Sequence, residues 1–393
     1  MYDAPRLDNE ETKKTEFRNV VSISFSQFGT ALGFNFVYVF LLFYISAISP
    51  YSGRATLLWT GAIMGCMGVC LACTAPGWGS LSHRFSPKSL YLAGILPQAI
   101  LMLLMGFFPN LHMLFILRVL QGAFGGVSTT GLIIISVSSS EKNRAFHFGI
   151  FQSALTLGQL LGPPAGSFGV ATLGYQWAFV SASLMLFAAF IFCYFFVTDL
   201  PPLPREMKSS MRSCLDRRTL TGWTLCLVAM THLVYLPTIF PPVFQKFGFD
   251  NTSAVKMAGL VVMLYTCTSM IGTYAWSFLS RRTGVKKMIN FLLLSGALLP
   301  LMLVFAQEIR SFTLILMLEM GMVAAIIPLT ISMFAAEPKG NVIGFMNAAR
   351  FVGMAVGPIL ASSLLAFANT TTLYLAVSGI TLAAYLACRA FIR

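Results

Sequence analysis

The sequence predicts an all-α integral membrane protein, twelve transmembrane helices arranged as two related six-helix bundles. Composition is the first reason: hydrophobic residues make up 57% of the 393 residues and charged ones only 10%, with a mean hydropathy of +0.78. Soluble domains are roughly half apolar and a quarter charged, so a water-soluble core is excluded. Spacing is the second. No Asp, Glu, Lys or Arg lies between Arg18 and Arg54, Arg54 and Arg84, Lys88 and Arg118, or Lys256 and Arg281. Each gap holds the ~20 apolar residues that cross ~30 Å of hydrocarbon at about 1.5 Å per residue. These runs are continuously apolar, whereas a barrel strand alternates over about ten residues. The third reason is an internal repeat.

In chain order, charge-free runs and breaker residues predict helices at Asn19–Ser46, Thr56–Leu81, Leu90–Phe108, Leu111–Val137, Phe148–Leu173 and Trp177–Val197. The second six follow at Leu220–Phe244, Ala254–Leu279, Met288–Gln307, Ser311–Ala335, Val342–Ala366 and Thr371–Cys388. The domains expected are a tail over 1–18, a bundle over 19–198, a linker over 199–219 and a second bundle over 220–393. The linker carries Pro201, Pro202 and Pro204 before Arg205, Lys208, Arg212, Arg217 and Arg218, a polar chain between two apolar units.

The net charge of +13 is spread over short loops, which argues against a nucleic-acid surface. With both termini on one side, twenty of the 26 Lys and Arg fall on that side and four (Arg54, Lys246, Lys256, Arg310) on the other. Positive residues accumulate on the cytoplasmic side, so termini and linker are expected there. The first eighteen residues are polar and mixed in charge, which predicts no cleavable leader. Short loops suit a multi-pass protein of a bacterial inner (plasma) membrane.

The repeat is visible by eye. WGSLSHRFSPKS from Trp78 aligns with WSFLSRRTGVKK from Trp276 at an offset of 198, and GIFQSALTLGQLLGP from Gly149 aligns with GFMNAARFVGMAVGP from Gly344 at 195. Two halves related by an axis along the membrane normal form a parallel repeat. Small residues four apart let another helix approach closely, and proline bends a helix or frees a carbonyl. Gly158, Gly162, Pro163 and Gly166 on helix five, repeated by Gly353, Gly357 and Pro358 on helix eleven, are thus expected at close contacts between the bundles, serving packing, gating or both.

With these motifs the chain resembles the major facilitator superfamily over nearly its whole length, and within it the twelve-helix drug:proton antiporters. The loop after helix two in that family reads G-x-L-a-D-r-x-G-r-K. Here Gly79, Leu81, Arg84 and Lys88 match, while His83 replaces the acid and Ser86 the second glycine. Arg118-Val119-Leu120-Gln121-Gly122 is similar to the family's R-x-x-Q-G element, and Gly158 to Ser167 to its G-x-x-x-G-P-x-x-G-G signature. The resemblance implies alternating access with gating at Gly79, His83, Arg84 and Lys88, a cavity lined by helices one, four, seven and ten, and proton coupling through Arg118. In the family the acid replaced by His83 helps latch the cytoplasmic gate, so the latch is expected to be weaker or pH-dependent here.

Ionisable side chains at membrane depth are expensive, so each is a candidate. The predicted spans hold Arg118, His232, Glu319 and Arg350. Glu319 is the single acid among them and a candidate proton carrier, with His232 beside it in role; the alternative is a fixed salt bridge from Glu319 to Arg118 or Arg350. Arg118 can equally be a structural partner of Gln121, and His232 a satisfied packing residue. Arg350 stands where the first half has Leu155, so the repeat does not require it, and it is either a substrate contact or Glu319's partner. Candidate substrate contacts are Gln27, Phe34, Asn35 and Tyr38 on helix one and Tyr235 on helix seven, an aromatic and amide lining suited to an amphipathic ligand. Helix one lacks an acid, and two arginines against one glutamate favour a neutral or anionic ligand over an obligate cation.

Cys66, Cys70 and Cys73 share one helix face and read as small packing residues; neither a metal site nor a disulfide framework is expected. The sequence shows no P-loop, H-E-x-x-H or nucleophile motif, so neither enzyme activity nor a cofactor is expected. The expectation is a monomeric secondary transporter in the bilayer that exports a small molecule against protons. Its rivals are an importer or uniporter for a metabolite, siderophore or lipid-like molecule, and a transporter-like sensor without flux.

Overall fold

A computed structural model describes residues 9–141, 143–199, 201–202, 216–334 and 341–391. Most of the expected linker lies outside these residues. Among them every regular element is a helix, in the order the apolar runs dictate: α1 Asn9–Ile48, α2 Arg54–Leu81 and α3 Pro87–Phe107, then α4 Leu111–Ser138, interrupted at 124–126. A single 53-residue helix, Arg144–Phe196, turns a corner at Gly174 (φ 80°, ψ 170°), a backbone region that only glycine adopts freely. Its arms are α5 (144–173) and α6 (175–196), so the eleven continuous membrane-length helices among the described residues amount to twelve spans. The second half holds α7 Arg217–Thr238, α8 Asn251–Thr283, α9 Val285–Phe305 ending in a 3-10 turn, α10 Ile309–Phe334 interrupted at 324–325, α11 Asn341–Phe367 and α12 Thr370–Phe391.

Local chemistry sets several boundaries. Asn110 caps α4 by accepting from the amides of His112 and Met113, and Ser86 caps α3 ahead of Pro87. Asp250 caps α8, and its hydrogen bonds with Ser253 and Thr252 hold its carboxyl below the usual carboxylate range. Helix seven stops at Thr238, earlier than the apolar run suggests. Pro241 and Pro242 fall in the first turn of a separate short helix, Phe240–Lys246, where the missing N–H of proline costs no intrahelical hydrogen bond.

The repeat is built in hydrogen bonds. Trp78 Nε1 donates to the carbonyl of Ala123 at 2.8 Å, beside the break in α4, and Trp276 Nε1 donates to Gly321 at 3.0 Å, beside the break in α10. One offset of 198 carries both partners from one half to the other. Ser183 Oγ likewise caps the carbonyl of Ala99, and Ser378 Oγ that of Ala297. Each indole satisfies a backbone acceptor that an interrupted helix would otherwise leave bare in hydrocarbon.

The glycine motifs act differently from the expectation. A Cβ at Gly158, Gly162 or Gly166 would strike Ala31, Asn35 or the Phe36 backbone of α1, and one at Gly353 or Gly357 would strike Met230 or Val234 of α7. These glycines therefore close contacts inside each bundle, not between bundles. The bundles meet on the proline side of the same helices. Gly259 of α8 lies on the Pro163 carbonyl and Ser167, while Gly61 of α2 lies on the Pro358 carbonyl and Ser362, with Gly65 and Gly68 continuing along α11. A proline at i+4 cannot donate to the carbonyl one turn back, but its own carbonyl stays on the helix surface where a glycine can approach it. These contacts sit in the halves of α2, α5, α8 and α11 remote from the termini, so the bundles are packed together at the face opposite the termini.

Candidate functional site

Three helices of the second half build a cluster of buried ionisable and hydroxyl side chains. His232 of α7 is 1% exposed and Glu319 of α10 is fully buried; His232 Nδ1 lies 2.8 Å from Glu319 Oε1. The Tyr235 hydroxyl, one turn along α7, donates to the same oxygen at 3.2 Å. On the far side of the imidazole, Nε2 lies 2.6 Å from Thr381 Oγ1 of α12, and that hydroxyl is 2.8 Å from the carbonyl of Val377. Glu319 Oε2 is buried without a hydrogen-bond partner.

This arrangement accommodates two proton counts without moving a heavy atom. When the imidazole carries one proton, on Nδ1, it donates to the carboxylate and Nε2 accepts from the Thr381 hydroxyl. When it carries two, both nitrogens donate and the hydroxyl turns to Val377. Glu319 Oε2 remains a vacant acceptor in both states, and a buried unsatisfied carboxylate oxygen costs about 1–3 kcal/mol or more.

The first half places its ion differently. Arg118 of α4 is 6% exposed and its Nη1 donates to Gln121 Oε1 at 3.0 Å, the structural partnership that their spacing of three residues permits. Its Nε is buried without a partner, as is the Tyr38 hydroxyl of α1. No carboxylate pairs with Arg118 among the described residues; the carboxylates of Glu319 and Glu16 lie instead against the imidazoles of His232 and His147. Arg350 is exposed on α11 and its Nη1 donates to Asn347 at 3.2 Å. Neither arginine is thus the partner of Glu319, which pairs with His232.

The remaining candidates divide. Gln27 is buried, donating to Ser128 Oγ at 3.1 Å and accepting from the Tyr91 hydroxyl at 3.2 Å, so its amide ties α1 to α3 and α4. Asn35 donates to the carbonyl of Ala31 on its own helix, and Phe34 is half-buried. Tyr235 belongs to the Glu319 cluster. Gly79 lies in the last turn of α2, His83 and Arg84 in the turn that follows, and Lys88 Nζ donates to the carbonyl of Tyr194 at 2.8 Å, tying α3 to α6. Cys66, Cys70 and Cys73 are free thiols. Sequence reasoning missed Thr381, although the repeat held a signal: at the first half's register Gly33 packs on Leu186 where His232 meets Thr381.

A family model described as Major Facilitator Superfamily matches residues 23–358. The chain belongs to that superfamily. This facilitator is 24% identical over 353 residues to the multidrug resistance protein MdtG of Proteus mirabilis, covering 87% of this chain and 88% of the relative. It is 22% identical over 377 residues to MdtG of Salmonella typhimurium, covering 93% of each. Among solved structures it is similar to the nucleoside transporter NupG, with a TM-score of 0.75 at 13% identity over 95% of this chain and 99% of that one. It is also similar to the human organic anion transporter MFSD10, with a TM-score of 0.68 at 20% identity over 95% and 99%. The facilitator is thus a multi-pass membrane transporter and not an enzyme, with two six-helix bundles as the sequence predicts.

Proposed function

We propose that this facilitator is a proton-coupled exporter of a small amphipathic molecule, neutral or anionic, acting as a monomer in a bacterial inner membrane with both termini in the cytoplasm. The observation that carries the reading is the buried His232–Glu319 pair, which has a Thr381 hydroxyl able to follow either protonation state and a carboxylate oxygen left vacant. An apolar packing position in a bilayer needs none of these groups, and the first half does without them. Export is supported by the curated relatives named for multidrug resistance.

In the mechanism, the bundles over 19–198 and 220–393 rock about the midplane, joined by the linker. Proton uptake by the His232–Glu319 pair removes its net negative charge, and the two protonation states favour different relative positions of the bundles. Arg350 and the helix-one side chains Phe34, Asn35 and Tyr38 contact substrate, and the α2–α3 turn with His83, Arg84 and Lys88 gates the cytoplasmic side.

The test is reconstitution in liposomes with an internal pH dye under an imposed proton gradient. Substrate-dependent proton movement is expected for the wild type, and Glu319→Gln is expected to fall to the leak of protein-free liposomes. Substrate equilibration independent of the gradient, equal in both proteins, would show a uniporter instead.

A further inference from the structure

Arg118 is a buried guanidinium without a counter-anion among the described residues. A charge at membrane depth is costly, and its partner is normally another charge. Here Gln121 supplies only a neutral amide oxygen, to one Nη, and the guanidinium Nε has no acceptor. The second orphan donor sits at the same depth. The Gln27–Ser128 bond fixes α1 and α4 in antiparallel register. Eleven residues on along α1 lies Tyr38 and ten residues back along α4 lies Arg118, both displaced by about 15 Å at about 1.5 Å per residue. The Tyr38 hydroxyl is buried and unpartnered, within electrostatic reach of Arg118 and of Tyr265, which is 7% exposed on α8 of the other bundle. Offset by 198, the counterpart of Arg118 is Leu316, which is buried in the core. The fold at this position therefore does not require a cation.

We propose that Arg118 and the Tyr38 hydroxyl, with Tyr265 beside them, form an anion subsite that holds the carboxylate or sulfonate of an amphipathic organic anion between the two bundles. A planar carboxylate takes two parallel donors from a guanidinium edge, and Nε with the second Nη is such an edge. The phenol supplies a third donor to the outer lone pairs. Half-buried Phe34, one turn before Tyr38 on α1, offers apolar surface for the rest of the ligand. The subsite rests on the exporter reading above only for its transport consequence, since binding does not need a proton gradient.

The test uses the purified full-length protein in detergent and three naphthalene probes matched in shape: 1-naphthoate, 1-naphthalenemethanol and 1-naphthylmethylammonium. Dissociation constants come from titration calorimetry, with thermal stabilisation as a second readout. The naphthoate is expected to bind at least tenfold more tightly than the alcohol, and the ammonium probe more weakly than either. Arg118→Gln is expected to lose about ten- to a hundredfold in naphthoate affinity and Tyr38→Phe about fivefold, the ranges for a charged and a neutral hydrogen bond. Arg118→Lys should recover part of the loss. Arg310→Gln removes an exposed cation in the first turn of α10, at the opposite end of the bundle from the linker, and should leave binding unchanged. The proposal falls if the three probes bind alike, if none binds, or if the ammonium probe binds best, all of which are read on the wild type even should Arg118→Gln fail to fold. It falls equally if a folded Arg118→Gln keeps wild-type naphthoate affinity. Anion-selective binding without proton-linked flux in liposomes would overturn the exporter reading and leave the subsite standing.

Discussion

Gly65→Ala separates the contact between bundles from the contacts within them. A Cβ at Gly65 would stand 2.6 Å from Ile359 Cγ1, 2.8 Å from Ile359 Cδ1 and 2.8 Å from the carbonyl oxygen of Ala355, all on α11. Carbon atoms in contact prefer about 3.5–4.0 Å. The Ile359 side chain can turn away, but the Ala355 carbonyl belongs to a helix backbone, so α2 and α11 must part by several tenths of an ångström. Overpacking of this kind costs about 1–3 kcal/mol. The cost exists only while the bundles touch at this face, so it biases the alternating-access equilibrium by a factor of about 5–150 toward separation. Spin labels at Ser52 and Asn369, on exposed loops of the two bundles at that face, placed in a background without native cysteines, report it by double electron–electron resonance. The long-distance population is expected to rise in Gly65→Ala. Gly158→Ala is the control, because its methyl meets Ala31 Cβ at 2.7 Å and the Leu32 amide nitrogen and Phe28 carbonyl oxygen at 2.8 Å, all within one bundle. It should lower the melting temperature and leave the distances alone. A distance distribution unmoved by Gly65→Ala, with a melting temperature lowered as in the control, would refute the assignment of α2–α11 as a contact that opens.

Other expectations follow from single contacts. Thr381→Val keeps the shape but leaves His232 Nε2 unpaired, at a cost of about 1–3 kcal/mol. It should slow substrate-driven proton flux in liposomes while Thr381→Ser restores it. Gly174→Ala places a Cβ where φ is 80° and should destabilise the α5–α6 corner by about 1–3 kcal/mol, read as a lower melting temperature. The Asp250 cap has a depressed carboxyl, so its contribution is present above the ordinary carboxylate range and lost as pH falls through the lower folded value. Hydrogen exchange at the amides of Thr252 and Ser253 should speed up on that descent in the wild type and be pH-insensitive, apart from intrinsic chemistry, in Asp250→Asn. His83→Asp restores the acid of the motif and is expected to shift the balance between inward- and outward-facing distances, and identical distributions would count against a latch at that turn.

Most of the fold was legible because it is written in properties that a bilayer enforces locally. Continuous apolar runs, Pro and Gly punctuation and the side on which Lys and Arg accumulate each constrain one span at a time. Glu319, His232 and Arg118 were equally legible as ions out of place. Their pairing was not, because partners 87 residues apart meet by helix packing, and the composition of α10 says nothing about which neighbour faces it. Charge alone suggested arginine, the strongest available counter-ion, where geometry supplied histidine. The glycine motif illustrates a second kind of illegibility. Spacing of four shows that something approaches closely, but the face of α5 turned to α1 and the face turned to α8 differ by a rotation that the repeat cannot reveal.

The structural registers of the two halves allow a residue-level comparison of what the bundles do. Gly162 on Asn35 and Phe36 corresponds to Gly357 on Val234 and Tyr235, which sets His232 against Gly33. Ser183 corresponds to Ser378, which sets Thr381 against Leu186, and the Trp78 and Trp276 bonds set Glu319 against Gln121. The second half thus replaces Gly33, Leu186 and Gln121 with His232, Thr381 and Glu319, three changes that make sense only together, since a buried histidine between a leucine and a glutamine would leave a ring nitrogen unpaired. The first half makes the opposite departure, Arg118 where the second has Leu316. Each bundle keeps the packing common to both and differs at the midplane by one ionic device. In the proposed mechanism, the acid that holds a proton on one bundle and the cation that holds an anion on the other divide the labour, and relative motion of the bundles changes the distance between the proton site and the bound anion.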